Sequence, residues 1–171
     1  MTRFSNKGQT YADAAIIAVV LVVAAISFVL VTMIQKQIAD EFLATDDFNS
    51  STVGGRQLAT MNDTFPATFD TVFLIVFVLF WLFIIVSSIF IDASPIFLVI
   101  SLVLMALILI VVAVMSNAYE DFITSDGDLY TFSAAFPRTN YIMEHLVMFI
   151  MFIGLTGAIA IYGKNSIGAG P

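Results

Sequence analysis

The amino-acid sequence predicts an all-α protein, a four-helix transmembrane bundle, from its composition and its pattern of apolar runs. Of the 171 residues, 60% are hydrophobic and 11% are charged, whereas soluble domains average about 45–50% apolar and about 25% charged residues. Four apolar runs each reach the roughly 20 residues that a helix needs to cross about 30 Å of hydrocarbon. Because a surface in water needs far more charge, we expect lipid to surround much of this chain.

The first predicted span covers 12–34 of what we treat as a single integral membrane domain, 1–171. Its apolar run is longer than that of a signal peptide, which predicts a helix that is retained. Lys7-Gly8-Gln9-Thr10 before it resembles the cleavage signal of archaeal type IV pilin-like precursors, which would be cut after Gly8. Three further spans, however, are not typical of a pilin.

The remaining spans are predicted at 69–91, 95–115 and 141–162. Ser94 is a candidate N-cap and Pro95 suits a first helical position, so the second and third spans are expected to form an antiparallel hairpin with a tight turn. Pro137 belongs to a similar entry signal before the fourth span, which is expected to end at Gly163.

Two acidic loops, 35–68 and 116–140, separate the first span from the second and the third from the fourth. The start of the first loop, 36–42, can continue the first helix beyond the membrane. The second loop is rich in aromatic residues, which indicates a folded cap rather than an open linker.

The placement of cations predicts the orientation in the membrane. Arg3 and Lys7 precede the first span and Lys164 follows the fourth, while the long loops are acidic. Cytoplasmic segments carry an excess of Lys and Arg. With an even number of spans, both N and C termini are therefore expected on the cytoplasmic (inner) side, with the two acidic loops outside.

Few ionisable residues lie near the spans, and we interpret them as interfacial. Asp13 and Asp70 fall in the first turn of a predicted helix, where the helix dipole stabilises a carboxylate. Either would become a proton or ion site if it lay deeper. Glu144 and His145 are neighbours at the start of the fourth span, but adjacent helix positions point about 100° apart. We therefore predict no catalytic, cofactor-binding or metal site, and no enzyme activity.

Small residues predict where helices approach closely. They recur at Ala14, Ala18 and Ala25 in the first span and at Gly154 and Ala158 in the fourth. Small residues four apart let helix backbones pack tightly in lipid. We expect the first and fourth helices to pack together, and the bulky second helix to face lipid or a partner.

Charge and cysteine content exclude several classes of function. The net charge is −7, with no cluster of cations, so we expect no nucleic-acid partner. The chain has no cysteine, which removes disulfides and thiolate chemistry. The expected partners are membrane lipids and either further copies of the chain or other membrane proteins, and no cofactor is expected.

Three short segments resemble a known group of proteins. They are Ser94-Pro95-Ile96-Phe97, Ser116-Asn117 followed by Glu120 and Phe122, and Phe136-Pro137-x-Thr139-Asn140-x-Ile142-Met143. The pattern is similar to that of small multi-helix membrane proteins encoded by tailless, membrane-containing viruses and related mobile elements of bacteria and archaea. The resemblance implies a non-enzymatic structural protein of a virion membrane that contacts a protein shell or its own copies.

Two other functions are compatible with the same sequence. The first is an accessory subunit of a cellular membrane complex, which a genomic neighbourhood of enzyme genes would favour over capsid and packaging genes. The second is a holin-like pore or lysis protein. Polar residues within the spans are sparse for a water-filled lining, and expression without cell leakage would argue against a pore.

Overall fold

The computed structural model describes the backbone of residues 9–45, 51–90 and 95–167 and the side chains of 16–45, 51–90 and 99–163. Within these residues the protein is all α, and four of its helices are long and apolar enough to cross a membrane. This confirms the predicted helical class and the four spans. The helices are α1 (Gln9–Leu43), α2 (Val53–Ile89), α3 (Pro95–Thr124), α4 (Gly127–Ser133), α5 (Pro137–Glu144) and α6 (Leu146–Ile167).

Most of the predicted loop 35–68 is helical, which corrects its assignment as a loop. α1 continues to Leu43, as the extension of the first helix predicted, but α2 begins at Val53 rather than near Phe69. The side chain of Thr52 caps α2 by accepting a hydrogen bond from the Gly55 amide. At 37 residues, α2 is about 55 Å long. It therefore extends well beyond a hydrocarbon layer of about 30 Å.

The threonines of this polar segment bond their hydroxyls within the helix. The hydroxyls of Thr60, Thr64, Thr68 and Thr71 each donate to the backbone carbonyl four residues earlier. These bonds satisfy the hydroxyls without breaking the helix, although they slightly destabilise it and can bend it. Pro66 also lies inside α2. The Ser/Thr/Gly-rich composition, which favoured a loop, is thus accommodated within a helix.

The predicted loop 116–140 is a folded cap, as its aromatic residues indicated. α3 continues to Thr124, and α4 and α5 occupy most of the remainder. Asp126 is the N-cap of α4, where its side chain accepts from the Asp128 amide. Leu129 and Phe136 are buried in one apolar cluster with Val29 of α1. We call α4 and α5 together the cap.

The four long helices form a bundle whose neighbours differ from those predicted. α1 packs mainly against α2 and α3, and α6 also packs mainly against α2 and α3. α1 and α6 are therefore on one diagonal, touching at few points. α2 and α3 occupy the other diagonal and hardly touch among the described residues. Residues 91–94, which join them and include the predicted N-cap Ser94, lie outside the described residues.

Contacts along the bundle show the direction of each helix. α1 and α2 are antiparallel, since Phe28 stacks on Phe69 at 4.9 Å between ring centroids while Ile17 and Phe80 share a groove nearer the other end. α2 and α6 run in the same direction, and α3 runs against α6. The contacts that show this pair Asp70 with Thr139, Trp81 with Thr156, Met105 with Gly154, and Ser116 with Met143.

The small residues of α1 and α6 do not form a common interface. Ala18 and Ala25 are buried in the core of the bundle, but Gly154 faces Met105 of α3, since a Cβ on it would meet the Met105 sulphur at 2.5 Å. Ala158 is partly buried, and the Ala14 side chain lies outside the described side chains. The prediction that α1 and α6 are close partners is wrong because small residues mark close approach without identifying the partner helix.

Gly157 lies where α6 packs closely against α2. A Cβ at this position would lie 3.2 Å from Ser88 Oγ and 3.5 Å from Ile84 Cγ2. We expect Gly157→Leu to lower the free energy of unfolding by about 1–3 kcal/mol, because the added side chain forces two packed helices apart. Unfolding of the reconstituted protein by titration with a denaturing detergent measures this change.

Gly163 provides the matched control on the same helix. A Cβ there would have no atom within 4 Å among the described residues. Gly163→Leu is therefore expected to leave the unfolding midpoint nearly unchanged. Equal effects of the two substitutions would mean that α2 and α6 do not approach at Gly157.

The outer face of the bundle is apolar, and α3 is its most exposed span. α3 buries the smallest share of its apolar run and α1 the largest. Phe73, Phe77 and Ile84 of α2 are buried, whereas Phe83 and Phe90 are exposed. The bulky second helix therefore has one buried face and one outward face. Soluble proteins rarely expose contiguous apolar patches larger than a few hundred Å². Among the described side chains of α3, the exposed large apolar residues are Val99, Ile100, Leu102, Val103, Leu104, Leu107, Ile110, Val111 and Val114.

Candidate functional site

A buried carboxylate is the central polar group of the bundle. Asp70 was predicted in the first turn of a helix, but it lies near the middle of α2 and is 2% exposed. The prediction of its position is wrong because α2 begins seventeen residues earlier, at Val53. A buried ionised group costs free energy unless hydrogen bonds and charges compensate it, so its surroundings decide what it does.

Asp70 caps the start of α5 from a different helix. Its Oδ1 accepts from the Thr139 backbone amide at 2.8 Å and from the Thr139 hydroxyl at 2.9 Å. Its Oδ2 accepts from the Arg138 backbone amide at 3.3 Å. The N-cap position of α5 is held by Phe136, which makes no side-chain capping bond. Asp70 thus supplies the capping acceptor that the local sequence lacks, at the positive end of the α5 dipole.

The Arg138 side chain completes this site. One guanidinium nitrogen lies 3.8 Å from Asp70 Oδ2 and donates to Thr71 Oγ1 at 2.7 Å. The Arg138 side chain is 52% exposed, so solvent or lipid headgroups screen its charge. Asp70 is therefore held by two backbone amides, one hydroxyl and one cation. We call Asp70, Thr71, Arg138 and Thr139 the α2–α5 clamp.

A second polar cluster joins the cap to α3. The Tyr119 hydroxyl donates to Asn140 Oδ1 at 2.7 Å, and Asn140 Nδ2 donates to the Ser133 carbonyl at 2.7 Å. Ser116 Oγ donates to the Met143 carbonyl at 2.6 Å. α5 is consequently fastened on both sides, to α2 by the clamp and to α3 by this cluster.

Glu144 and His145 do not begin the fourth span, which corrects their predicted position. Glu144 is the last residue of α5, and the apolar helix α6 begins at Leu146. The His145 ring Nδ1 lies 3.0 Å from the Tyr141 carbonyl oxygen. His145 is thus bonded locally at the junction of the two helices, and the Glu144 side chain is exposed. The Asp13 side chain lies outside the described side chains.

The arrangement holds helices together. Among the described residues, no three His, Asp or Glu side chains gather closely enough to hold a metal ion. The clamp pairs residues 69 positions apart in the sequence, which is why sequence reasoning missed it. One signal was present: Pro137 follows a Phe at the N-cap position, so the amides of the first turn of α5 need an acceptor from elsewhere.

Comparison with known proteins adds no family to this description. The chain matches no protein-family model, and neither the curated proteins nor the solved structures contain a significant match.

Proposed function

We propose that this protein is a non-enzymatic structural component of a membrane, and specifically of the membrane of a virion. Its four spans pack in lipid, and its cap and helical extensions contact a protein shell or neighbouring copies. The observation that carries the proposal is that Asp70, a buried carboxylate, accepts hydrogen bonds from another helix. Among the described residues its hydrogen-bond partners all belong to α5, so it acts in packing rather than in chemistry or transport.

The distribution of polarity supports the same role. The outer face of α3 and parts of the other spans expose large apolar side chains, which suits a bilayer. Most of the charged side chains at the cap end and on the water-side extensions of α1 and α2 are carboxylates, including Asp40, Glu41, Glu120 and Asp121. Such an acidic surface suits basic patches on protein partners and disfavours anionic lipid surfaces.

The orientation is part of this proposal, with N and C termini inside and the cap outside. Since the chain has no cysteine, single cysteines report position cleanly. Glu41→Cys at the cap end is expected to react with a membrane-impermeant maleimide on intact cells. Phe90→Cys, exposed at the opposite end of α2, is expected to react only after permeabilisation. The reverse pattern would overturn the orientation.

Mass spectrometry of purified virions tests the function itself. The protein is expected in the lipid-containing fraction, and Glu41→Cys is expected to crosslink to a shell protein or to another copy. Leu107→Cys, on the exposed face of α3, is the matched control and should not reach a shell protein. Absence of the protein from virions, or its copurification with a cellular membrane complex instead, would overturn the proposal.

A further inference from the structure

An open apolar groove of about 570 Å³ lies between α2, α5 and α6. This volume is within the range of about 300–1,000 Å³ that is typical of ligand sites. Its walls are almost entirely aliphatic and aromatic, and Arg138 is the charged residue among those that line it. The lining includes Phe77, Val78 and Trp81 of α2, Phe149 and Phe152 of α6, and Arg138 of α5.

The groove spans the boundary between the apolar and polar parts of the bundle. Arg138 lies beside Thr71, where the predicted apolar run of α2 begins. Tyr141, which is exposed and also lines the groove, is on the same short helix. Tyr is enriched at the headgroup level of a bilayer, and Arg side chains near helix ends extend toward that level. Trp81 lies about 15 Å further along α2, at 1.5 Å per residue, beside the hydrocarbon.

Arg138 has donors that the clamp does not use. One of its guanidinium nitrogens faces Asp70 and bonds Thr71, but a guanidinium carries five N–H groups. With about half of the side chain exposed, the remaining N–H groups can bind an oxyanion. Arg is well suited to phosphate because its planar group can donate two parallel hydrogen bonds.

We propose that this groove binds one glycerophospholipid, with an acyl chain along Phe77 and Trp81 and the phosphate at Arg138. The cation at one end and the apolar channel leading from it match the two parts of such a lipid. The site depends on the bundle lying in a bilayer but is independent of any role in a virion. The bound lipid would fill the groove between α2, α5 and α6.

Trp81 reports on this site directly, because it is the single tryptophan of the chain and lines the groove. The full-length protein, delipidated in maltoside detergent, is titrated with phosphatidylglycerol that carries a brominated acyl chain. Bromine quenches a tryptophan only near contact. We expect quenching that saturates at low lipid-to-detergent ratio, and weaker binding of diacylglycerol with the same brominated chain.

Two substitutions test the two parts of the site. Arg138→Gln is expected to raise the half-saturating concentration of the phospholipid about tenfold, the equivalent of one charge-assisted hydrogen bond, without changing that of the diacylglycerol. It retains the Arg138 backbone amide and hence most of the clamp. Val78→Phe is expected to reduce saturable quenching by both lipids, because it fills the groove. Circular dichroism checks that both variants stay helical.

The double variant Trp81→Phe with Leu107→Trp is the matched control, since Leu107 is exposed on α3 outside the groove. Its tryptophan is expected to show quenching proportional to the lipid fraction, without saturation. Identical curves for the two tryptophan positions would overturn the proposal, as would saturable quenching that neither Arg138→Gln nor the loss of phosphate weakens. Failure of quenching together with a dimer in sedimentation would assign the groove to a second copy instead.

Discussion

Asp70→Ala is expected to lower the free energy of unfolding by about 2–4 kcal/mol. The substitution leaves the amides of Arg138 and Thr139 without their acceptor at the start of α5, together with the Thr139 hydroxyl. Each unsatisfied buried donor costs about 1–3 kcal/mol. The half-exposed Arg138 charge can turn outward, which keeps the loss below that of a fully buried pair. Unfolding by denaturing detergent in mixed micelles measures the change.

Asp70→Asn separates capping from proton or ion binding. The amide keeps one acceptor oxygen but points a donor toward Arg138, so we expect a smaller loss that is still measurable. If Asp70 served only to bind a proton or an ion, the neutral and isosteric Asn would leave the free energy of unfolding unchanged. Wild-type stability of both Asp70→Ala and Asp70→Asn would therefore contradict the clamp.

A double-mutant cycle with Thr139→Ala locates the interaction. Because Thr139 provides two of the hydrogen bonds to Asp70, we expect the two substitutions to be non-additive by about 0.5–3 kcal/mol. Additive losses would mean that the two residues act separately on the fold.

Phe136→Ala is expected to lower the free energy of unfolding by about 3–4 kcal/mol, as for other fully buried aromatic residues. Phe136 is 0% exposed and packs with Val29 and Leu129. It therefore joins the cap to α1, and its loss opens a cavity where three helices meet. The same unfolding titration measures this effect, and hydrogen exchange in α4 and α5 is expected to accelerate.

Tyr130 is the control for Phe136, because it is an aromatic residue of the same cap that is 62% exposed. Tyr130→Ala is expected to change the unfolding free energy by less than about 0.5 kcal/mol. Phe136→Leu, which keeps most of the volume, should cost less than about 1.5 kcal/mol. Comparable losses for Phe136→Ala and Tyr130→Ala would refute a buried anchor.

α5, the second helix of the cap, connects the clamp, α1 and the groove. Its first turn is bound by Asp70, its N-cap residue Phe136 is buried against α1, and Arg138 lines the groove. The junction at His145 separates α5 from α6. The short polar helix α5 can therefore lie at the membrane boundary, while the apolar span starts as a separate helix at Leu146. The polar residues around α5 thus stabilise the packing of the four long helices.

The number and approximate positions of the spans could be predicted from hydropathy, because a helix in hydrocarbon must be long, apolar and nearly free of charge. The extension of α1 to Leu43 also followed from the sequence, but the start of α2 at Val53 did not. The cap at Thr52 starts α2 within a composition that otherwise favours a loop. The threonines that follow are accommodated because their hydroxyls bond within the helix.

Helix neighbours were decided by tertiary packing alone. Lipid is as apolar as a helix face, so apolar periodicity does not indicate which side of a span is buried or against which helix. Ala18 and Gly154 indicated close packing, yet their helices lie on a diagonal. Asp70 illustrates the same limit for polar groups. The free-energy cost of burying its charge could be predicted from the sequence. Its hydrogen-bond partners in α5 could not, because they include backbone amides, which carry no sequence signature.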